Sequence, residues 1–137
     1  MRAITIAPAT ATCILDHGQD VINKTYQFPR RLINKPIALH TSQGFPQDVL
    51  DIYRNHGFKV EPMLSGCVVA IARVIGCPRK TDSIWAKQGL FHWQIELTDL
   101  VEAIVLDGGD GLWELTEPQA KYVNAKRKAL KVLTAVP

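Results

Sequence analysis

From Cys67 to Ile75 the chain reads CVVAIARVI, nine residues that are almost continuously apolar and are bounded by Gly66 and Gly76. Their length and β-branched content fit a strand covered on both faces. Such a strand belongs at the centre of a barrel, and the other elements must be arranged around it.

Ala3 to Ala7 suits a short first strand, and Pro8 opens a helix with Ala11, Ile14 and Leu15 on one face, stopped by Gly18. Val21 to Phe28 places Ile22, Lys24, Tyr26 and Phe28 on one side and Val21, Asn23, Thr25 and Gln27 on the other. Neither side is purely apolar, which suits a strand lining a groove better than one inside a core. Pro36 to Thr41 reads as a strand, and Pro46 starts a helix running to about Asn55, with Gly57 as its stop. In Phe91 to Leu97 the residues Phe91, Trp93, Ile95 and Leu97 alternate with polar ones, the pattern of a half-buried strand. Val101 to Leu106 and Leu112 to Leu115 flank the turn Asp107-Gly108-Gly109-Asp110. A basic C-terminal helix begins at about Thr116, with Gln119 completing a capping box and Pro118 in its first turn. Five or six strands with two or three helices predict an α+β fold: a small, mostly antiparallel β-barrel with flanking helices.

With 137 residues, 47% of them hydrophobic, the chain is expected to form one domain over residues 1–137. A net charge of +3 permits an anionic partner without demanding one. Basic residues are unevenly spread: Lys121, Lys126, Arg127, Lys128 and Lys131 follow Glu117 with no intervening acid. That helix is read as a solvated face, with nonspecific phosphate attraction as its alternative. Cys13, Cys67 and Cys77 lack metal-type spacing and suit reduced, buried thiols, which points to the cytosol. No segment approaches the roughly 18 apolar residues of a membrane span. His17, His56 and His92 have no acidic or thiol partners at ligand spacing, so neither a metal nor a cofactor is expected.

The stretch His17 to Arg31, HGQDVINKTYQFPRR, lies where the first helix hands over to a strand carrying polar and basic groups. Together with IALHTS (Ile37 to Ser42), SIWAKQGLFHW (Ser83 to Trp93) and GLWEL (Gly111 to Leu115), it resembles the ASCH family, a small β-barrel related to the PUA RNA-binding domain. The likeness runs from Met1 to about Leu115. The family's G-x-K-x-x-E-x-R motif falls on His17, Gln19, Ile22 and Lys24, of which only Lys24 keeps its charge type. The frame matches more closely, through Tyr26, the Phe28-Pro29-Arg30 step and the strand ending in His40.

Cations close to aromatic rings can hold phosphate and a stacked base together, as single-strand binders do. Lys24, Arg30 and Arg31 are accordingly expected to hold phosphate, with Tyr26 beside a base. The resemblance adds Trp85 as a cleft wall, and Gln19, His40 and Ser42 as hydrogen-bonding groups. Each has an ordinary reading beside it: basic residues at a strand end are commonly just solvated, and a lone histidine often bonds to backbone in a core. Trp93 and Trp113 look like core residues.

The resemblance implies binding of RNA or a nucleotide, with DNA as another polymer of the same charge. Some family members resemble amidohydrolases of N4-acylcytidine that use the motif Lys, a Thr at the Glu position and a Glu from another strand. Gln19 and Ile22 occupy those first two positions here and supply neither a nucleophile nor its basic partner. Thr25 does not replace them, because neighbours on a strand point to opposite faces. Binding is therefore expected over catalysis. The alternatives are a nucleic-acid-processing hydrolase of the same fold, with His40 and Lys24 as the one acid–base pair on offer, and a protein-interaction module of coactivator type.

Overall fold

The computed structural model describes residues 1–44, 47–60 and 64–130. Pro46, expected to open the second helix, and Lys131 of the basic tail lie outside the described residues. The chain order is β1 (Arg2–Ile6), α1 (Pro8–Asp16), β2 (Val21–Lys24), a short 3-10 turn (Arg30–Leu32), β3 (Pro36–Thr41) and α2 (Gln47–Asn55). It continues through β4 (Cys67–Gly76), β5 (Phe91–Val105), β6 (Leu112–Glu114), α3 (Glu117–Lys126) and β7 (Arg127–Ala129). The strands form one strongly curled half-barrel in the order β2-β5-β4-β3-β1-β6, with β7 beside β5. β1 and β3 are parallel, and the other pairs run antiparallel.

β4 lies between β3 and β5, and its first six residues are buried, as its apolar run predicts. The inner core is built on Trp93, which is fully buried. Phe28 meets it edge-on at 4.9 Å and Tyr26 at 5.2 Å, while its indole N–H donates to the Tyr26 carbonyl at 3.0 Å. That hydrogen bond explains why β2 stops at Lys24 and does not run on to Phe28. The Tyr26 carbonyl serves Trp93 and the Phe28 amide faces Cys77 Sγ at 3.5 Å, so the backbone leaves the ladder.

The two strands expected at 91–97 and 101–106 are one strand of fifteen residues. Thr98 is an extra residue in the pairing: Ile71 faces Asp99 while Ala72 faces Leu97, a bulge that lets the strand bend without breaking. Asp99, buried in mid-strand, is neutralised by Arg127, whose Nη2 and Nε donate to its two carboxylate oxygens at 2.9 and 3.1 Å. The same pair accounts for β7, a stretch expected to be helical. Thr116 and Gln119 form the expected capping box of α3, but the helix ends at Lys126 and Arg127 starts an extended segment against β5.

A smaller core joins α1 to α2, with Ala9, Cys13, Leu50 and Val60 buried and Tyr53, Phe58 and Trp85 packed against them. The three cysteines are free thiols, and burial with Asp16 nearby pushes the Cys13 thiol up to about 11, where it is a poor nucleophile. Among the described residues no helix is long and apolar enough to cross a membrane.

Arg127 holds the Asp99 carboxyl below its ordinary value of 3.8. A carboxylate whose folded-state pKa is depressed stabilises the fold above its unfolded pKa and loses that contribution as pH falls through the folded value. Arg127→Ala should therefore cost about 1–3 kcal/mol at neutral pH, by leaving a buried acceptor without its donor. Urea unfolding should show the gap between variant and parent closing below pH 3.8, where Asp99 takes up its proton.

Candidate ligand-binding cleft

α1 ends on Gly18, whose positive φ of 73° turns the chain sharply and carries Gln19 beneath the helix, its amide bonded to the Cys13 carbonyl at 3.1 Å. Gln19 is 5% exposed. Its Nε2 donates to the Val21 carbonyl at 2.8 Å, and its Oε1 is buried with no hydrogen-bond partner among the described residues. An unmatched buried acceptor costs about 1–3 kcal/mol.

Gln19 opens onto a cleft of about 640 Å³ between the barrel and its first two helices. Thr5 of β1, Lys24 of β2, Thr10 of α1, Tyr53 of α2 and Trp85 of the loop before β5 contribute to its walls. Ile52 and Ile84, 53% and 83% exposed, line it as well and leave it with an apolar rim. A volume of this size suits a nucleotide-sized molecule.

Lys24 is half-buried and has no carboxylate partner among the described residues. Burial lowers its pKa from the ordinary 10.5. Lys87 is the other cation of the lining, and among the described residues no carboxylate joins it. The cleft is thus electropositive, partly desolvated and open to an anion. Tyr53 keeps its proton to higher pH because burial outweighs the opposing hydrogen-bonding influence of Thr10 and Gln19; its hydroxyl meets Thr10 Oγ1 at 3.2 Å.

The outer wall is held by the polar side of β2. Asn23 Nδ2 donates to the Trp85 carbonyl at 3.0 Å, while its Oδ1 accepts the Lys87 amide at 2.9 Å and His92 Nδ1 at 3.0 Å. With the Asn23 amide so oriented, His92 must carry its proton on Nδ1. Two residues before Trp85, Ser83 Oγ donates to Asp20 and accepts the Trp85 amide. Trp85 then stacks on Phe58, ring centroids 4.4 Å apart at 29°.

Of the residues singled out in the sequence, Gln19, Lys24 and Trp85 line the cleft, whereas Tyr26, Arg30, Arg31, His40 and Ser42 do not. Tyr26 is 44% exposed and spans the seam of the half-barrel, its hydroxyl pressed close to Gly111 just before β6. Arg30 and Arg31 project from the exposed 3-10 turn. His40 is buried and committed to the fold: Nε2 faces the Leu106 carbonyl at 2.8 Å, Nδ1 faces Thr5 Oγ1 at 3.2 Å, and a Cβ on Gly108 would collide with its ring. The suggested His40–Lys24 acid–base pair is therefore not assembled. Ser42 lies beyond the end of β3 and uses its amide, which donates to the Ile6 carbonyl at 2.8 Å.

Sequence reading missed Thr10, Asn23, Tyr53 and His56. Tyr53 lies on α2 and His56 in the turn just after it, and no local pattern says which neighbour these residues meet. His56 Nδ1 is bonded to the Ile52 carbonyl at 2.7 Å, which leaves Nε2 as its remaining polar atom. A second, shallower hollow of about 440 Å³ runs from Arg54 to Val60, but Arg54 and His17 already bond its backbone carbonyls. Among the described residues no group of three His, Cys, Asp or Glu is placed to hold a metal ion.

Asn23→Ala should release the loop while leaving the barrel intact. Amide exchange at Lys87, whose acceptor is removed, should accelerate by about tenfold while Val74 in β4 keeps its protection. Unchanged exchange at Lys87 would mean that Asp20 and Ser83 hold the loop without Asn23. In comparisons with known proteins, no family model and no curated protein matches the chain.

Proposed function

We propose that this protein is a nucleotide- or RNA-binding module of ASCH type, whose ligand enters the cleft beside Lys24. The observation that carries this reading is a half-buried ammonium, without a carboxylate partner among the described residues, set in a concavity of about 640 Å³ with an apolar rim. A nucleotide suits this concavity: its phosphate oxygens accept from Lys24, and its base packs on the apolar walls. Trp85 and the exposed isoleucines Ile52 and Ile84 offer the apolar surface against which a base packs. The likeness of His17–Arg31 and the flanking segments to the ASCH family points to the same ligand class.

Binding is favoured over turnover because, among the described residues, the cleft lining has no carboxylate, serine or thiol. Its hydroxyls are those of Thr5, Thr10 and Tyr53, and Thr5 is already engaged with Gly109 and Trp113. The chemistry of acyl or phosphoryl transfer needs a nucleophile beside a base. A soluble-ligand role is also favoured over a purely protein-interacting one by the polar floor beneath the apolar rim.

Calorimetric titration with ribonucleoside monophosphates and the matching nucleosides tests this. A charge-assisted hydrogen bond contributes about 1.5–3 kcal/mol, so Lys24→Ala should weaken the monophosphates roughly 10- to 150-fold and the nucleosides little. Because burial lowers the Lys24 pKa, its charge is present at neutral pH and is lost as pH rises through a value below 10.5. Monophosphate affinity should therefore fall on the alkaline side before pH 10.5, and Lys24→Ala should abolish that fall. Equal binding of nucleotides by parent and variant would overturn the assignment.

A further inference from the structure

The loop from β2 to β3 carries Lys24, Arg30, Arg31 and Lys35 without a single acid, and the segment Arg73–Thr81 carries Arg73, Arg79 and Lys80, again with none. The fold lays these two stretches side by side. The Phe28 amide reaches Cys77 Sγ at 3.5 Å, and the Asn34 amide donates to the Val74 carbonyl at 2.9 Å. Arg73 is paired with Glu96 at 2.8 Å, but Arg30, Arg31, Lys35, Arg79 and Lys80 are exposed and have no ion-pair partner among the described residues. Five exposed cations without an ion-pair partner among the described residues thus lie on two adjoining stretches of a protein whose net charge is only +3.

This face adjoins the cleft. Phe91 is the cross-strand partner of Lys24, and the Arg79 guanidinium lies over the Phe91 ring, 4.5 Å from its centroid. Tyr26, an exposed residue whose ring packs edge-on against Trp93, lies in the chain between the cleft lysine and the Arg30–Arg31 turn. A row of unpaired cations with an exposed aromatic ring beside it matches what a single strand needs, phosphate charge along the backbone and a flat surface for a base.

We infer that the β2–β3 loop and the segment after β4 form a phosphate-tracking surface for a single-stranded nucleic acid, one of whose nucleotides occupies the cleft. This rests on the nucleotide reading of the cleft and extends it: the preferred ligand is a strand rather than a free nucleotide. Arg30, Arg31 and Lys35 meet phosphates on one side of the track, Arg79 and Lys80 on the other, and Tyr26 stacks on a base near the cleft mouth.

The test compares a random-sequence single-stranded RNA of about ten nucleotides with the ribonucleoside monophosphates, across a range of salt. The RNA should bind more than tenfold tighter, with affinity falling steeply as salt rises. The double variant Arg79→Glu/Lys80→Glu should weaken the RNA at least tenfold and flatten the log–log salt slope by about 1.4, since each phosphate neutralised on a single strand contributes roughly 0.7. Monophosphate affinity should not change. Arg31→Gln/Lys80→Gln, which removes charge without reversing it, should act in the same direction by a smaller factor.

If RNA binds no tighter than a monophosphate, or if both double variants leave RNA binding untouched, the surface assignment fails while the cleft reading stands. If RNA binds and responds to the variants but monophosphates do not bind at all, the surface stands and the cleft reading fails. Should vesicles rich in phosphatidylserine compete for the protein as well as RNA at the same salt, simple charge attraction replaces the strand track and the inference is overturned.

Discussion

The fifteen residues of β5 divide their backbone hydrogen bonds among three strands: β4 along one edge, and β2 followed by β7 along the other. That sharing makes the half-barrel possible, because one strand must serve both as a wall of the core and as the seat of two short neighbours. It is bent to do so by the Thr98 bulge, and its buried Asp99 is tolerated through the two bonds from Arg127. Without that pair a carboxylate would sit unmatched in the middle of the sheet, and the edge that receives β7 would lose its anchor.

The cleft follows from where β5 places β2. β2 is only four residues long, so it offers one polar side to the loop before β5 and ends at Lys24, where the chain turns away beneath Trp93. Asn23 commits both polar atoms of its side chain to the loop and to His92. Lys24, its neighbour on the strand, is partly removed from water and has no carboxylate partner among the described residues. A cation in that position raises the free energy of the empty cleft, and an anionic ligand lowers it again. The strand and its loop thus create both the shape of the site and its charge.

Much of this was legible in the chain. The doubly covered strand at 67–75, the capping box at Thr116 and Gln119, the stop at Gly18 and the α+β barrel architecture each follow from local rules, and local rules survive folding when they agree with the packing. The cleft was legible only at Gln19, Lys24 and Trp85. His40 could not be placed, because a buried histidine bonded to Leu106 and Thr5 has the same sequence signature as a ligand-facing one. Arg127 read as part of a basic helix, since its partner Asp99 lies 28 positions away and no periodicity links them.

Alternation and helix signals act over a few residues, so the sequence by itself determined the element types, the central strand and a basic, aromatic-flanked stretch after the first helix. Which of those basic groups share a concavity was decided by tertiary structure alone. Lys24 turns into the cleft and Arg30 and Arg31 onto an outer face because Trp93, 67 positions beyond Tyr26, takes the Tyr26 carbonyl and ends the strand between them. Only the folded chain brings that indole to that carbonyl.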